Sequence, residues 1–185
     1  MRHFRLLPLA LGAALLPLGA AASAQEAPGQ GIADLAATLA YQLCPDYLAG
    51  RVRIEGNPQL TSLGFAAQII RSANPQMGTM EIRSAVRDDG EVSFGGAPGK
   101  LCQVNVYGAK ASAALDRFRA GLVSLPYKFE PDPANSGQRA NGATVDTRMT
   151  RIQDRGNTLV LRVQFVQGDL HGTPIAGFQI FGMNQ

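Results

Sequence analysis

The sequence predicts an α+β fold: a single domain with a mostly antiparallel sheet of about six strands and about three helices, in the order α-α-β-β-β-α-β-β-β. Three observations predict it. Helical apolar spacing occurs in three stretches, period-two alternation falls in two runs of strands, and Gly, Pro, Asn and Asp clusters punctuate those runs. Helices segregated from strand runs point to α+β architecture rather than to alternating α/β units.

The first 24 of the 185 residues stand outside that fold. Arg2 and Arg5 lead into the apolar run Leu6–Leu18, and Ala22-Ser23-Ala24 precedes Gln25. A basic start, a short apolar stretch broken by Pro and Gly, and an A-x-A site together read as a secretory signal peptide. The pattern predicts export to the periplasm or beyond by a Sec-type route, from a Gram-negative bacterium. Residues 25–31 are expected to form a flexible lead, and 32–185 the folded domain. No later segment is long and apolar enough for a membrane span. Without Arg2 and Arg5, 15 basic residues face 14 acidic ones, a balance that argues against a nucleic-acid partner.

Ile32, Leu35, Leu39 and Leu43 share a helical face with Ala36 and Ala40, predicting a first helix that Pro45 ends. Asn57-Pro58 predicts a second, with Asn57 as N-cap and Pro58 in the first helical position. Leu60, Leu63, Ala67 and Ile70 would be its apolar face, up to Asn74-Pro75.

Period two then takes over. Met80, Ile82 and Val86 are expected on one face, with Glu81, Arg83 and Arg87 on the other. A three-residue loop Asp88-Asp89-Gly90 would set Val86 opposite Val92 and Arg87 opposite Glu91. Gly95–Lys100 reads as a looser turn before the strand of Cys102, Val104 and Val106. Ala111, Ala114, Leu115, Phe118 and Leu122 predict a helix over Ala111–Val123, with Asp116, Arg117 and Arg119 outside and Pro126 as its stop. Glu130–Gly142 reads as an exposed loop. Val145, Thr147 and Met149, then Leu159, Leu161, Val163 and Phe165, then Ala176, Phe178 and Ile180 mark the last three strands.

Cys44 and Cys102 are the two cysteines, and in an oxidising compartment they are expected to pair. The disulfide would enclose the 57 residues from Pro45 to Leu101.

The remaining chemistry is sparse. His171 is the sole histidine beyond the signal, in the turn-like Gly168-Asp169-Leu170-His171-Gly172, which removes multi-histidine metal sites. No G-x-S-x-G supplies a nucleophile. Gly95-Gly96-Ala97-Pro98-Gly99-Lys100 lacks the spacing of a phosphate loop and precedes a strand. The carboxylate pairs Asp88/Asp89 and Glu130/Asp132 lie in turns, where solvation keeps acids ordinary. No metal and no cofactor are expected.

One constellation points to binding. A three-residue loop Asp154-Arg155-Gly156 would set Leu161 opposite Met149, Phe165 opposite Val145, and Arg148 opposite Arg162. Opposed like charges invite an anion or an acidic partner, whereas Asp146 on the same strand face would neutralise them.

A helix ending in Cys44, a helix carrying Gly64-Phe65, the strand Cys102-Gln103-Val104 and a following helix with Leu115 resemble a group of small signal-peptide-bearing periplasmic proteins of alphaproteobacteria. The resemblance covers about residues 32–123 and implies a fold type and a compartment, with no reaction attached. The Trp residues found in the strands of such proteins are absent here.

These features predict a non-catalytic binding protein of the cell envelope, whose partner is another envelope protein or a small ligand. An inhibitor or immunity-like role belongs to that class. The alternatives are a small hydrolase using scattered carboxylates, marked by two facing acids in a cleft, and a carrier of an anionic or apolar ligand. A cavity lined by Phe118, Leu161 and Phe165 would mark the carrier.

Overall fold

In the computed structural model, residues 31–154 and 157–184 are described. The expected signal peptide, the lead as far as residue 30, and Arg155-Gly156 of the expected loop lie outside the described residues.

The first helical face begins as predicted, in α1 (Ile32–Thr38), but does not stop at Pro45. A π-helical turn (Leu39–Leu43) carries the chain into α2 (Cys44–Leu48), where Pro45 sits in the first turn. Pro45 has no N–H to donate and crowds the preceding turn. The widened turn, in which the Cys44 N–H donates to the Leu39 carbonyl, accommodates it. The N-terminus of α1 is capped from a distance: its Ile32 N–H donates to Asp89 Oδ2 at 2.9 Å.

α3 (Pro58–Ser62) opens on Asn57 as expected, with Asn57 Oδ1 accepting the Leu60 N–H at 3.0 Å. It ends far sooner than the apolar spacing suggested. Gly64 adopts φ +82°, its N–H donates to Thr61 O, and the Phe65 N–H donates to Leu60 O. This two-bond stop, with buried Phe65 beyond it, reverses the chain. Ile70, expected on that helix, instead begins strand β1 (Ile70–Asn74).

Strands β2 (Gly78–Arg87), β3 (Gly90–Ala97) and β4 (Leu101–Tyr107) form a meander, and α4 (Ala111–Val123) follows with the predicted bounds. The segment read as an exposed loop contributes two short edge strands, β5 (Glu130–Pro131) and β6 (Gly137–Gln138), around a 3₁₀ turn, and Asp132 in it is buried. β7 (Thr144–Asp154), β8 (Asn157–Leu170) and β9 (Thr173–Asn184) complete the sheet. Among the described residues the sheet has nine strands rather than about six, in the order β1-β2-β3-β4-β9-β8-β7-β5, with β6 also on β7. Every pairing is antiparallel. The added strands are β1, which replaces helix, and the β5 and β6 edge.

Both predicted hairpin registers are one residue off. Arg87 pairs with Gly90 and Val86 with Glu91, so Ala85 rather than Val86 opposes Val92. Gly90 joins the ladder at φ +145°, and a Cβ there would lie 2.6 Å from the Tyr107 carbonyl oxygen. A shift of one exchanges faces. Ala85 and Arg83 are buried toward the helices, while Val86 is 79% exposed. In the second hairpin Asp154 pairs with Asn157 and Met149 with Arg162. Val145, Thr147 and Met149 therefore face away from the helices.

One sheet face packs against α1, α2 and α4. Leu35, Leu39, Phe118, Val104, Phe178 and Val163 are fully or almost fully buried between the layers. The disulfide Cys44–Cys102, Cα–Cα 5.4 Å, ties the helical layer to β4. Arg83 lies in the same layer, 2% exposed. Its guanidinium donates to the carbonyls of Ala66 (2.5 Å), Phe65 (2.9 Å) and Ile54 (3.3 Å). Arg87 donates to Leu63 O at 3.0 Å. The arginines on the face opposite Val86 thus anchor the irregular stretch around α3.

The opposite sheet face carries no α-helix among the described residues; over β7 the 3₁₀ turn segment covers it, Thr147 Oγ1 donating to Asn135 O at 2.7 Å. Register aligns Thr147, Gln164, Gln179 and Gln103 in one row across β7, β8, β9 and β4. Met149, Arg162, Phe181 and Leu101 form the next row.

Replacing both cysteines by Ala should lower unfolding free energy by about 4 kcal/mol or less, the loop-closure value for this span. Urea unfolding with and without reductant checks this, and the reductant should affect only the parent chain. Arg83→Met should cost about 2–4 kcal/mol, since three carbonyls lose a charged donor. Hydrogen exchange should then rise first at the amides of residues 54–66.

Candidate functional site

The last turn of α4 sets the geometry of a cleft. Leu122 continues its buried face, while Val123 points outward and is 86% exposed. Ser124 caps the end, its Oγ donating to Gly121 O at 2.7 Å. Pro126 then forbids helix continuation, and Tyr127-Lys128-Phe129 runs on toward β5.

Between this segment and the sheet lies a cavity of about 390 Å³. Leu122, Val123, Tyr127, Phe129 and Phe165 supply its apolar walls. Arg119, Lys128 and Arg148 bring three cations to it, against one carboxylate, Asp146, among the described residues. The shifted β7–β8 register puts Asp146 opposite Phe165 and Arg148 opposite Val163, which turns both polar side chains toward the helical layer. Arg148 Nε and Nη2 reach Asp146 at 3.1 and 3.3 Å. Lys128 pairs loosely with Glu130 at 3.4 Å, both well exposed. Arg119 has no carboxylate partner among the described residues.

The two arginines singled out from sequence are not brought together. Arg148 is in this cleft, neutralised by Asp146. Arg162 lies on the face away from the α-helices, opposite Met149, with its Nε 3.3 Å from Asp132 Oδ2. The sheet separates them, so no like-charge pair exists to recruit an anion. Of the three residues expected to line a cavity, Phe165 does. Phe118 lies behind it in the core, packed on Phe178 at 5.6 Å between ring centroids. Leu161 does not line it. Arg119, Tyr127, Lys128 and Phe129 were missed. The aromatic–cation–aromatic run after Pro126 was the available signal.

The other sequence candidates stay apart. His171 is exposed at φ +53° in the β8–β9 turn. Among the described residues no three His, Cys, Asp or Glu side chains gather as metal ligands. No described helix is long and apolar enough to cross a membrane. Comparison with protein-family models, curated proteins and solved structures gives no match to this chain.

Two tyrosines brace the helical layer against the sheet. Tyr41 packs edge-on against Phe178 and donates its hydroxyl to the Phe118 carbonyl. Tyr47 donates to Gly96 O at 2.9 Å. Burial raises both hydroxyls well above the ordinary tyrosine pKa, and the Glu81 carboxylate adds to the effect at Tyr47. The native state thus holds protons that the unfolded chain releases near pH 10. Their contribution is complete below about pH 10 and shrinks as pH rises toward the raised native values. Urea midpoints should fall steeply above about pH 10, and less steeply in Tyr47→Phe.

Proposed function

We propose that this protein is an exported, non-catalytic binding protein of the bacterial envelope, and that its ligand is an amphiphilic anion. The ligand would be a carboxylate or phosphate headgroup on an acyl or aryl chain. The observation that carries this reading is the α4 cleft, where an aromatic and aliphatic floor meets three cations and one carboxylate. Its volume falls in the lower range of small-ligand pockets, which are mostly apolar with a few placed polar groups. Exposed Val123 and half-exposed Tyr127 at its mouth leave apolar surface for a chain to cover. Arg148, held through Nε and Nη2 by Asp146, keeps its remaining guanidinium donors for a carboxylate or phosphate. The disulfide and the signal-like N-terminus support an oxidising, exported setting.

Dodecanoate and a lysophosphatidate, titrated by calorimetry into the full mature chain, test the reading. Both should bind saturably, whereas dodecanol should bind at least about tenfold more weakly. Arg148→Gln and Arg119→Gln should each cost about tenfold in affinity, near 1.4 kcal/mol. Asp146→Asn should tighten binding, because it removes the competing carboxylate. Equal binding of the alcohol and the acid, or no binding of either, would overturn the proposal.

A further inference from the structure

The sheet face away from the α-helices holds a second concavity, of about 380 Å³, on the far side from the α4 cleft. Arg162, Gln164 and Phe181 line it from two neighbouring strands, and Lys100 from the β3–β4 turn. Arg162 is anchored by an ion pair to the buried Asp132. Its Nε is buried 3.3 Å from Asp132 Oδ2 but makes no hydrogen bond. Asp132 Oδ2 also accepts from Asn135 Nδ2 at 2.8 Å. Lys100 has no carboxylate partner among the described residues. Two cations therefore line one pocket, against the single buried carboxylate Asp132 that pairs with Arg162.

Beside them lies the amide row. Gln164, Gln179 and Gln103 are direct cross-strand neighbours, one row from Arg162 and Phe181. Adjacent strands are about 4.8 Å apart and successive same-face positions about 6.8 Å. Gln164 donates to Thr147 Oγ1 at 3.2 Å, while the amides of Gln179 and Gln103 make no hydrogen bond among the described residues. Both are only partly buried. Each such amide offers donors and acceptors side by side, the complement of hydroxyl groups.

We infer that this face binds a small polyhydroxylated anion, a uronic-acid or sugar-phosphate type of ligand. Arg162 and Lys100 take the carboxylate or phosphate, the glutamine row takes the hydroxyls, and Phe181 meets the apolar C–H surface. A fatty amphiphile does not suit the amide row, and a bare inorganic anion leaves that row unused. The site is independent of the α4 cleft, since the sheet lies between them.

Calorimetric titration of the full mature chain with D-glucuronate, D-glucose 6-phosphate, D-glucose and inorganic phosphate tests the inference. One or both sugar anions should bind saturably, with glucose and inorganic phosphate at least about tenfold weaker. The preferred sugar anion distinguishes a carboxylate from a phosphate ligand. Lys100→Gln, in an exposed turn, should weaken the sugar anions about tenfold without altering the urea midpoint. Gln179→Ala should weaken the sugar anions but not inorganic phosphate. Arg148→Gln should leave all four titrations unchanged. Lack of sugar-anion binding, inorganic phosphate binding as tightly as the sugars, or loss of binding in Arg148→Gln would each overturn it.

Discussion

The covalent link from Cys44 to Cys102 is the constraint on which the architecture turns. β4 occupies the centre of the sheet, paired with β3 on one side and β9 on the other, and so joins the first meander to the last three strands. The helices cover one face, and a one-sided layer buries less apolar surface per residue than a sandwich does. Fixing the helical run to the central strand sets the depth at which Leu35, Leu39 and Tyr47 meet Val104 and Phe94. α4 packs beside this tied layer, on α1 and across β8 and β9.

Polar groups do the rest of the positioning, from places where apolar patterning offered no guide. Asp89, in a hairpin turn, caps α1 and ties the first meander to the helical layer. Arg83 satisfies three carbonyls of the irregular stretch around α3, where backbone acceptors would otherwise be buried without donors. A buried arginine without a facing carboxylate is costly in isolation. Here several carbonyl oxygens replace its hydration, and the loop gains a fixed path across the sheet edge. The two concavities arise from the same economy of covering: one where α4 stops short of β7, the other where no α-helix lies on the sheet among the described residues.

Legibility fell along a clear physical line. α4 was read correctly in both bounds because five apolar residues at helical spacing and a Pro stop agree. The Asn57 cap was equally plain, being a local hydrogen bond. The extension of α3 toward Ile70 failed because Gly64 could take a left-handed φ, which apolar spacing does not register. Both hairpins were recognised as hairpins, yet each was misregistered by one residue. Turn chemistry that admits a two- or a three-residue loop leaves the faces of every flanking residue undetermined. That single ambiguity moved Val86 to solvent, buried Arg83, and put Arg148 and Arg162 on opposite faces.

The sequence by itself determined the α+β class, the three helical starts, the antiparallel habit of the strands and the pairing of the two cysteines. These follow from local periodicity, local caps and simple counting. Tertiary structure decided the strand order, the extra edge strands, the register and therefore which cations face which cavity. Those depend on contacts between residues far apart in the chain: Gly90 against Tyr107, Asp89 beneath α1, Asp132 beside Arg162. Side-chain period in a strand is two, so a shift of one residue reverses a site without changing any local pattern.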